Sequence, residues 1–237
     1  GGVWGGDDVV SSGAGGIGGT SAAATRRWTD IFGAKGWSST TIYTGSYNYR
    51  LFFSANHWQS GIGTLSFKSD FTHYARPGYK SKFGLEAQGY FIDPGSFSLD
   101  TTFAILPDIK PNYSRKLALY YEGEWDINSR LRLKAGVRML NWANRGPATY
   151  YLFDNQYQVR DTIETAAAIY NDYSNFDPRL SLRYQLDSSA LLKLSFGVYH
   201  QYLQLISNSV SPFSSFEVWL PAGPNIRPQS SMHWALN

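Results

Sequence analysis

The sequence predicts an all-β fold, an antiparallel transmembrane β-barrel, and two observations carry this prediction. The first is strict alternation between residues 177 and 205, where every second side chain is apolar: Leu180, Leu182, Tyr184 and Leu186 before a short polar turn, and Leu192, Leu194, Phe196 and Val198 after it. Successive side chains of a strand point to opposite faces, so this stretch is typical of a hairpin with one uncharged face. The second observation is that short turns at one end of such hairpins alternate with loops of roughly 20 to 30 residues at the other, the pattern of transmembrane barrels.

Composition agrees with strands that cross a membrane. The 237 residues include 8 Trp, 17 Tyr, 14 Phe and 23 Gly, a bias that suits aromatic girdles at the membrane interfaces. No window approaches the roughly 18 to 20 uninterrupted apolar residues that a spanning helix needs. The net charge is only +3, with both signs mixed along the chain, so nucleic acid is not an expected partner. With no Cys, disulfides and thiolate metal sites are excluded.

We divide the chain into two parts. Residues 1–21 are rich in Gly and small polar side chains, and we expect a loop or a disordered segment there because this composition buries little apolar surface. Residues 22–237 are predicted to form the barrel segment. The chain begins Gly-Gly-Val-Trp and stops at Asn237 within a strand-like run, so we expect a processed or partial chain.

Nine or ten strands can be placed along residues 22–237, in hairpins separated by long loops. Early strands are predicted at 22–31 and 38–53, followed by hairpins with tight turns at 76–79, 127–129 and 187–189. Long loops are predicted at 93–114, 144–173 and 204–229, the second with a helical segment over 162–169.

The third hairpin has the clearest division into faces. One side carries no charge and includes Leu131, Leu133 and Val137. An Arg substituted in mid-strand on such a side, for example for Leu133 or Leu194, is expected to face lipid. The opposite side carries acids on one strand and bases on the next, and we expect them to pair across the ladder: Glu122 and Glu124 with Arg132 and Lys134.

Several segments carry a resemblance to a known family. The run Y-S-N-F-D-P-R-L-S-L-R-Y at 173–184, with the turn at 187–189 and L-K-L-S-F-G at 192–197, is similar to the barrel of TonB-dependent outer-membrane receptors. The run G-P-N-I-R-P-Q at 223–229 resembles the N-P-x-L-K-P-E element that closes a long extracellular loop in that family, with Gln229 where Glu is more common. Residues 205–212, ahead of V-W-L-P at 218–221, resemble the Bacteroidota branch.

The resemblance covers about residues 22–237 and implies a location and partners. The family's barrels lie in the outer membrane of Gram-negative bacteria and have about 22 strands around a plug, so this chain resembles the middle of a larger plugged barrel. A TonB-type energy-coupling complex, acting through the missing plug region, is the implied partner. A surface lipoprotein lid, other outer-membrane subunits and lipid or lipopolysaccharide are further possible partners.

No catalytic residue, metal ligand or cofactor is predicted. The four His are scattered without metal-binding spacing, and no nucleophile with a base can be nominated. Glu122 and Glu124 share one side of a strand as paired acids do, but their basic neighbours favour an ion-paired wall. We therefore predict that the chain is not an enzyme.

Two sets of residues are candidates for function. A basic set is expected to face the lumen, where it either guides an anionic ligand such as a ferric siderophore or holds the acidic side of a plug: Arg130, Arg132, Lys134, Arg138, Arg179, Arg183 and Lys193. An aromatic set lies in loops too long to be mere connectors and is expected to contact ligand, another loop or a lid: Tyr150, Tyr151, Phe153, Tyr157, Phe213, Phe216 and Trp219.

The predicted function is import of a nutrient across the outer membrane, such as a ferric siderophore, an oligosaccharide or a peptide. The alternative is a transporter-like barrel that serves as a structural or interaction subunit of an outer-membrane complex. A plug and an energy-coupling box in the complete gene would favour transport, and their true absence would favour the subunit.

Overall fold

A computed structural model of the chain describes residues 2–12, 15–53, 56–98, 110–206 and 218–237. Apart from one short 3-10 helix, Gly33–Lys35, the regular structure in these ranges consists of strands. The strands are β1 (Gly2–Ser12), β2 (Gly15–Ile31), β3 (Gly36–Phe53), β4 (Asn56–Arg76), β5 (Tyr79–Ser98), β6 (Asn112–Asp126), β7 (Leu131–Arg145), β8 (Ala148–Phe153), β9 (Val159–Thr165), β10 (Ile169–Gln185), β11 (Leu191–Gln201), β12 (Leu203–Ile206), β13 (Val218–Pro221) and β14 (Gln229–Leu236). Within the described ranges there is no helix with the length and apolarity to cross a membrane.

Ten of these strands form one antiparallel sheet, in the order β1-β2-β3-β4-β5-β6-β7-β10-β11-β14. Each neighbouring pair is antiparallel, so the chain runs up and down through the sheet. The other four strands form two separate hairpins, β8–β9 and β12–β13, within connections of the large sheet. This arrangement confirms the predicted all-β, antiparallel partial barrel.

The connections of the large sheet differ at its two ends. One end, called the turn end, has the short connections 32–35, 77–78, 127–130 and 186–190. The opposite end, called the loop end, has the long connections 99–111, 146–168 and 202–228, whereas the connections between β1 and β2 and between β3 and β4, at the same end, are two residues long. At the turn end, backbone N–H groups of Ser189 and Ala190 donate to the carboxylate of Asp187, and these bonds, that of Ser189 first, lower the pKa of Asp187. The predicted tight turns therefore lie at one end of the sheet.

The register divides the sheet into an apolar face and a polar face. On the apolar face of β7, Leu133 pairs with Trp125 on β6 and Leu182 on β10, and Val137 pairs with Tyr121 and Pro178. On the polar face, Arg138 of β7 pairs with Tyr120 on one side and Asp177 on the other. Because paired residues of an antiparallel ladder share a face, the alternation seen in β7 extends to its neighbours β6 and β10.

The structure corrects the prediction for the N-terminal segment. Strand β1 and the first part of β2 occupy most of the range for which loop or disorder was expected. Strand β2 is paired with β3 over its whole length, from Gly15 opposite Phe53 to Ile31 opposite Trp37. Ladder hydrogen bonds to a long neighbour thus order a Gly-rich stretch that has few side chains to bury, which composition alone does not reveal.

The predicted helix over residues 162–169 is also wrong. Residues up to Thr165 belong to β9, which pairs with β8 in a hairpin, and β10 already begins at Ile169. Thr162, Ile163 and Thr165 are β-branched, and such residues pack well in strands. The long loops at 144–173 and 204–229 therefore each contain a short hairpin.

Candidate functional site

The polar face carries a charged network with Glu86 of β5 at its centre. The Lys116 Nζ lies 3.0 Å from Glu86 Oε1, and the Arg138 Nη2 donates to Glu86 Oε2 at 2.6 Å. Only 8% of Glu86 is exposed. A buried carboxylate is costly unless it is paired and hydrogen-bonded, so this site depends on both cations.

A second carboxylate extends the network along the same face. Asp70 of β4 lies 3.2 Å from the Lys68 Nζ and 3.4 Å from the Lys82 Nζ, and it accepts a hydrogen bond from the Tyr120 hydroxyl. The guanidinium of Arg138 lies 5.7 Å from the centre of the Tyr120 ring, within the range of a cation–π contact. Tyr120 therefore links the two carboxylate clusters.

The acids and bases of β6 and β7 pair as the sequence predicts. The Lys134 Nζ is 2.9 Å from Glu122 Oε1, and Arg132 contacts Glu124 at 3.3 Å. Arg132 also donates from Nε to Asp126 at 2.5 Å. The cross-ladder pairing is confirmed, and it holds Glu122 and Glu124 as partners of cations.

The structure places six of the seven basic candidates on the polar face and one elsewhere. Arg130 lies in the turn between β6 and β7, where its backbone N–H donates to Asn128 Oδ1. On the sheet, Arg183 of β10 pairs in register with Arg132 on one side and Lys193 on the other, and Arg179 and Ser181 continue this face. Three cations of the set, Arg132, Lys134 and Arg138, have the acidic partners described above.

The other three sheet cations have no acidic partner among the residues that the structure describes: Arg179, Arg183 and Lys193. The guanidinium of Arg179 lies 4.8 Å from the centre of the Tyr199 ring. Arg179, Lys193 and His233 line a depression of about 780 Å³ on this face. The region is therefore positively charged and open.

Toward the loop end, the polar face changes from charged to aromatic. Trp142 of β7 is 1% exposed and stacks on Tyr202 with 5.3 Å between ring centroids and an interplanar angle of 13°. Tyr90 of β5 packs against the other rings of this cluster, also 5.3 Å from Trp142. Burial of large rings, together with their preferred contact geometry, makes this cluster a strong packing site.

The aromatic cluster fixes the second strand of the β12–β13 hairpin and the residues after it. The Trp142 Nε1 donates to the carbonyl of Ala222 at 3.0 Å, and the Tyr173 hydroxyl donates to the carbonyl of Gly223 at 2.8 Å. Ala222 is fully buried. The loop-closing element found in the sequence at 223–229 therefore begins directly on the polar face of β7 and β10.

The same hairpin also contacts β3 and β4, further along the polar face of the sheet. Val218, the first residue of β13, packs against a buried cluster of Tyr49 and Leu51 on β3 and Trp58 on β4. In the strand order, β7 and β3 are separated by β4, β5 and β6. The hairpin therefore lies across the polar face near the loop end.

The aromatic candidates are not gathered at one place. Trp219 lies on β13, whereas Tyr150, Tyr151 and Phe153 lie on β8 and Tyr157 in the turn after it. Tyr150 stacks on Tyr170 of β10 at 5.8 Å, whereas Tyr157 is 86% exposed. Phe213 and Phe216 lie outside the described residues.

The residues that hold the hairpin were missed by sequence reasoning. These residues lie toward the loop end of the sheet: Trp142, Tyr173 and Tyr202. The one indication in the sequence was that Trp142 is four residues after Arg138 and therefore lies on the same face of β7. His200 was also missed as a partner of Asp177, whose carboxylate lies 2.6 Å from His200 Nδ1. The described part of the chain contains no group of three or more His, Cys, Asp or Glu side chains placed to hold a metal ion.

Comparison with solved structures identifies similar folds. The Serratia marcescens hemophore receptor HasR, solved as a double mutant with its hemophore HasA and heme, is 14% identical and aligns with a TM-score of 0.63 over 94% of this chain and 36% of that chain. The copper transporter OprC is 14% identical, with a TM-score of 0.64 over 99% of this chain and 42% of that chain. The chain thus spans about two fifths of these proteins or less. No curated protein matches the sequence.

A family model described as "TonB dependent receptor-like, beta-barrel" matches residues 5–236. Proteins of this family are outer-membrane transporters that work with TonB energy coupling, and they are not enzymes, in agreement with the absence of a predicted catalytic centre. Because the match covers nearly the whole ten-stranded sheet with its short turns and long loops, the chain belongs to the TonB-dependent receptor β-barrel family.

Proposed function

We propose that the chain forms part of the barrel wall of a receptor that imports a nutrient across the outer membrane of a Gram-negative bacterium. A TonB-type energy-coupling complex drives this import. A ferric siderophore, an oligosaccharide or a peptide is the expected cargo. Family membership supports the transport class. The Bacteroidota assignment stays a prediction.

One observation carries the proposal: the β12–β13 hairpin lies across the polar face instead of extending away from the sheet. If the polar face lines the lumen, this hairpin narrows the loop-end mouth between β7 and β3. The loop is held by the bonds from Trp142 and Tyr173 described above, by a bond from the Ala222 N–H to the Tyr202 carbonyl, and by the stacked rings of Trp142 and Tyr202. A loop held in this way can discriminate among cargos, and a bound cargo can displace it. A barrel kept only as a structural subunit needs no such constriction.

The open basic region supports a second part of the proposal. Arg179, Arg183 and Lys193 face the same side as the hairpin but lie nearer the turn end. We assign them to an acidic partner in the lumen, either the plug or an anionic cargo, because their charges are not neutralised by the described residues. We assign the cations that have acidic partners on the sheet to the stability of the barrel wall: Arg132, Lys134 and Arg138.

The exposed aromatic residues of the β8–β9 hairpin are proposed to meet cargo or a surface lid. Tyr151, Phe153 and Tyr157 are 45%, 49% and 86% exposed at the loop end. Tyr presents a rigid, amphipathic surface for recognition at low entropic cost. The two structural neighbours handle different ligands, heme with a hemophore and copper, which agrees with recognition carried by loops on a shared barrel.

Deleting residues 210–217, between β12 and β13, is expected to abolish uptake while the barrel remains folded. Loops carry recognition, whereas the strands and their ladders carry stability. Uptake is measured in intact cells with panels of ferric siderophores, oligosaccharides and peptides, and folding by heat-modifiable migration in gels.

The matched control replaces residues 210–217 by a Gly/Ser segment of equal length. If this variant also loses uptake, the side chains of the segment matter and not its length. Normal uptake after the deletion would move recognition away from this loop. An intact protein that takes up no cargo but remains bound in a larger outer-membrane assembly would favour the structural-subunit alternative.

Cysteine labelling tests the orientation of the sheet. A Cys at Gln156, in the exposed turn of the β8–β9 hairpin, is expected to react with a membrane-impermeant maleimide on intact cells, and a Cys at Ser188 is not. These 237 residues contain no native Cys, so each variant adds one label site to this part of the protein. Labelling at Ser188 alone would show that the turn end, not the loop end, faces the outside.

A further inference from the structure

The loop end of β11 breaks the alternation of faces that the rest of the strand follows. The guanidinium of Arg179, on the polar face of β10, lies 4.8 Å from the ring centre of Tyr199, and Tyr199 meets His233 edge-on. The next residue, His200, has its Nδ1 2.6 Å from Oδ1 of Asp177, which lies on the same face of β10 as Arg179. Successive side chains of a regular strand point to opposite faces, so β11 is irregular between Tyr199 and His200.

This irregularity is a one-residue shift in the register of β11 against β10. The backbone ladder of the two strands ends at Arg179 opposite Gly197. Continued without a shift, it would set Asp177 opposite Tyr199, whereas Asp177 meets His200. One extra residue in one strand of a pair is a β-bulge, and it re-aims the side chains that follow. We call the observed pairing the bulged register and the continuation without a shift the regular register.

Pro178 of β10 lies at the point where the register shifts, between Asp177 and Arg179. Proline has no backbone N–H to donate to a ladder, and within sheets it is found at edges and bulges. The sequence of β10 therefore favours a bulge here.

The bulged register brings Tyr202 to the polar face. The regular register would set Asn175 opposite Gln201, but the Asn175 Nδ2 donates to the Tyr202 hydroxyl at 2.6 Å. On this face the Tyr202 ring stacks on Trp142, and its carbonyl accepts from the Ala222 N–H. In the regular register the ring would point to the apolar face and the stack on Trp142 could not form. The bulge therefore lets β11 hold the β12–β13 hairpin.

The regular register is a second arrangement open to the same residues. It would set Gln201 beside Asn175, and their amides can hydrogen-bond to each other. It would also turn His200 and Tyr202 to the apolar face, where rings with a polar tip form the aromatic girdles. The carboxylate of Asp177, which is 3% exposed, would lose the His200 donor, and a buried carboxylate without a donor is costly. The bond to His200 therefore favours the bulged register.

We propose that Asp177 and His200 are positioning residues that hold the loop end of β11 in the bulged register and so keep the β12–β13 hairpin on the polar face. When their bond breaks, residues 199–202 move by one residue into the regular register. Tyr202 then turns away from Trp142, and the hairpin loosens from the wall. A one-residue shift exchanges the two faces of a strand, so a small movement has a large effect. A role of this shift in import rests on the proposed function, but the two registers can be tested without transport.

The first test measures the rate of protease cleavage within residues 202–228 of the purified full-length protein in detergent micelles. Asp177→Leu removes the acceptor and keeps a side chain of similar size, and His200→Phe removes the donor and keeps a ring. Each is expected to raise the cleavage rate by about tenfold or more, because losing a hydrogen bond to a charged group shifts an equilibrium by about that factor and cleavage follows the population of the open form. Heat-modifiable migration checks that the barrel remains folded.

Two further variants make this result specific to the bulge. Asp177→Asn keeps an oxygen that accepts from His200, and cleavage is expected to stay close to that of the unaltered protein. Ser181→Ala is the matched control, because Ser181 Oγ lies 3.4 Å from Ser195 Oγ across the same two strands where their pairing is regular. It is expected to leave the cleavage rate unchanged.

A pair of Cys reports the register itself. With Asn175→Cys and Gln201→Cys, the two thiols stand opposite each other only in the regular register, at a separation suited to a disulfide. Adding Asp177→Leu to this pair is expected to raise the rate of disulfide formation under mild oxidation by about tenfold.

Three results would overturn the proposal. One is unchanged cleavage in both Asp177→Leu and His200→Phe, and another is an equal rise in Ser181→Ala, which would show a general weakening of the ladder. The third is faster cleavage in Asp177→Leu without faster disulfide formation, because the hairpin would then detach with no change of register. None of these measurements needs a cargo, so a protein that imports nothing leaves the test unaffected.

Discussion

Replacing Leu119 by Arg is expected to destabilise the folded barrel by about 2–4 kcal/mol, the cost of an Arg on the lipid face near the bilayer midplane. Leu119 is 61% exposed on the apolar face of β6, paired with Leu85 and Met139. It lies six residues from Trp125, which stacks on Tyr79 at the turn end. At about 3.3 Å per residue on a strand tilted by about 40°, this is a rise of about 15 Å, close to the middle of an apolar band about 25 Å tall that begins at an aromatic girdle. The measurement is the free energy of unfolding by urea of the protein refolded into lipid bilayers.

Two controls make this result specific to membrane depth and face. Leu133→Arg is on the same face but in the row of Trp125, so its cost is expected to fall to about 0–1 kcal/mol. Ser181→Arg is on the polar face between Lys134 and Ser195 and should be nearly neutral, because water and the Lys134–Glu122 pair lie on that side. Equal costs at Leu119 and Ser181 would contradict the assignment of the apolar face to lipid.

Replacing Trp142 by Ala is expected to cost about 3–5 kcal/mol, the range for deleting a buried Trp side chain. The substitution removes the stacking partner of Tyr202 and the donor to the Ala222 carbonyl. Because these contacts hold β13 on the polar face, the loop 202–228 should also become more sensitive to protease. Unfolding free energy and the rate of cleavage within this loop are measured on the same samples.

Trp142→Phe separates the two contributions. It keeps a ring for stacking but loses the indole donor, so the Ala222 carbonyl loses that hydrogen bond and the cost should be about 1–3 kcal/mol. Tyr151→Ala, at an exposed position of β8, is the control and should change stability by less than about 0.5 kcal/mol. If Trp142→Ala is destabilising but the loop stays as resistant to protease as in the unaltered protein, the Trp anchors the wall and not the hairpin.

The fold class, the two faces and the turn end could be predicted from the amino-acid sequence alone. These features are local: a period of two assigns a residue such as Leu182 or Arg183 to a face wherever the strand lies in the sheet. The tight turns at 127–129 and 187–189 and the Glu122–Lys134 pairing follow from neighbours that are close along the chain. The resemblance of 173–184 and 223–229 to one family likewise needed only short runs of sequence.

Features that depend on residues far apart in the chain became visible only in the folded structure. The Gly-rich start becomes strand because β3 offers a ladder, and the hairpin β12–β13 lies over the polar face because Trp142 is 80 positions from Ala222 yet donates to its carbonyl. Leu133 shares a row with Trp125 only through the register of β6 and β7, so the depth we expect for it depends on which residue it is paired with. Periodicity assigns a face to each residue, but register and long-range burial depend on which strands become neighbours, and no single segment encodes that choice.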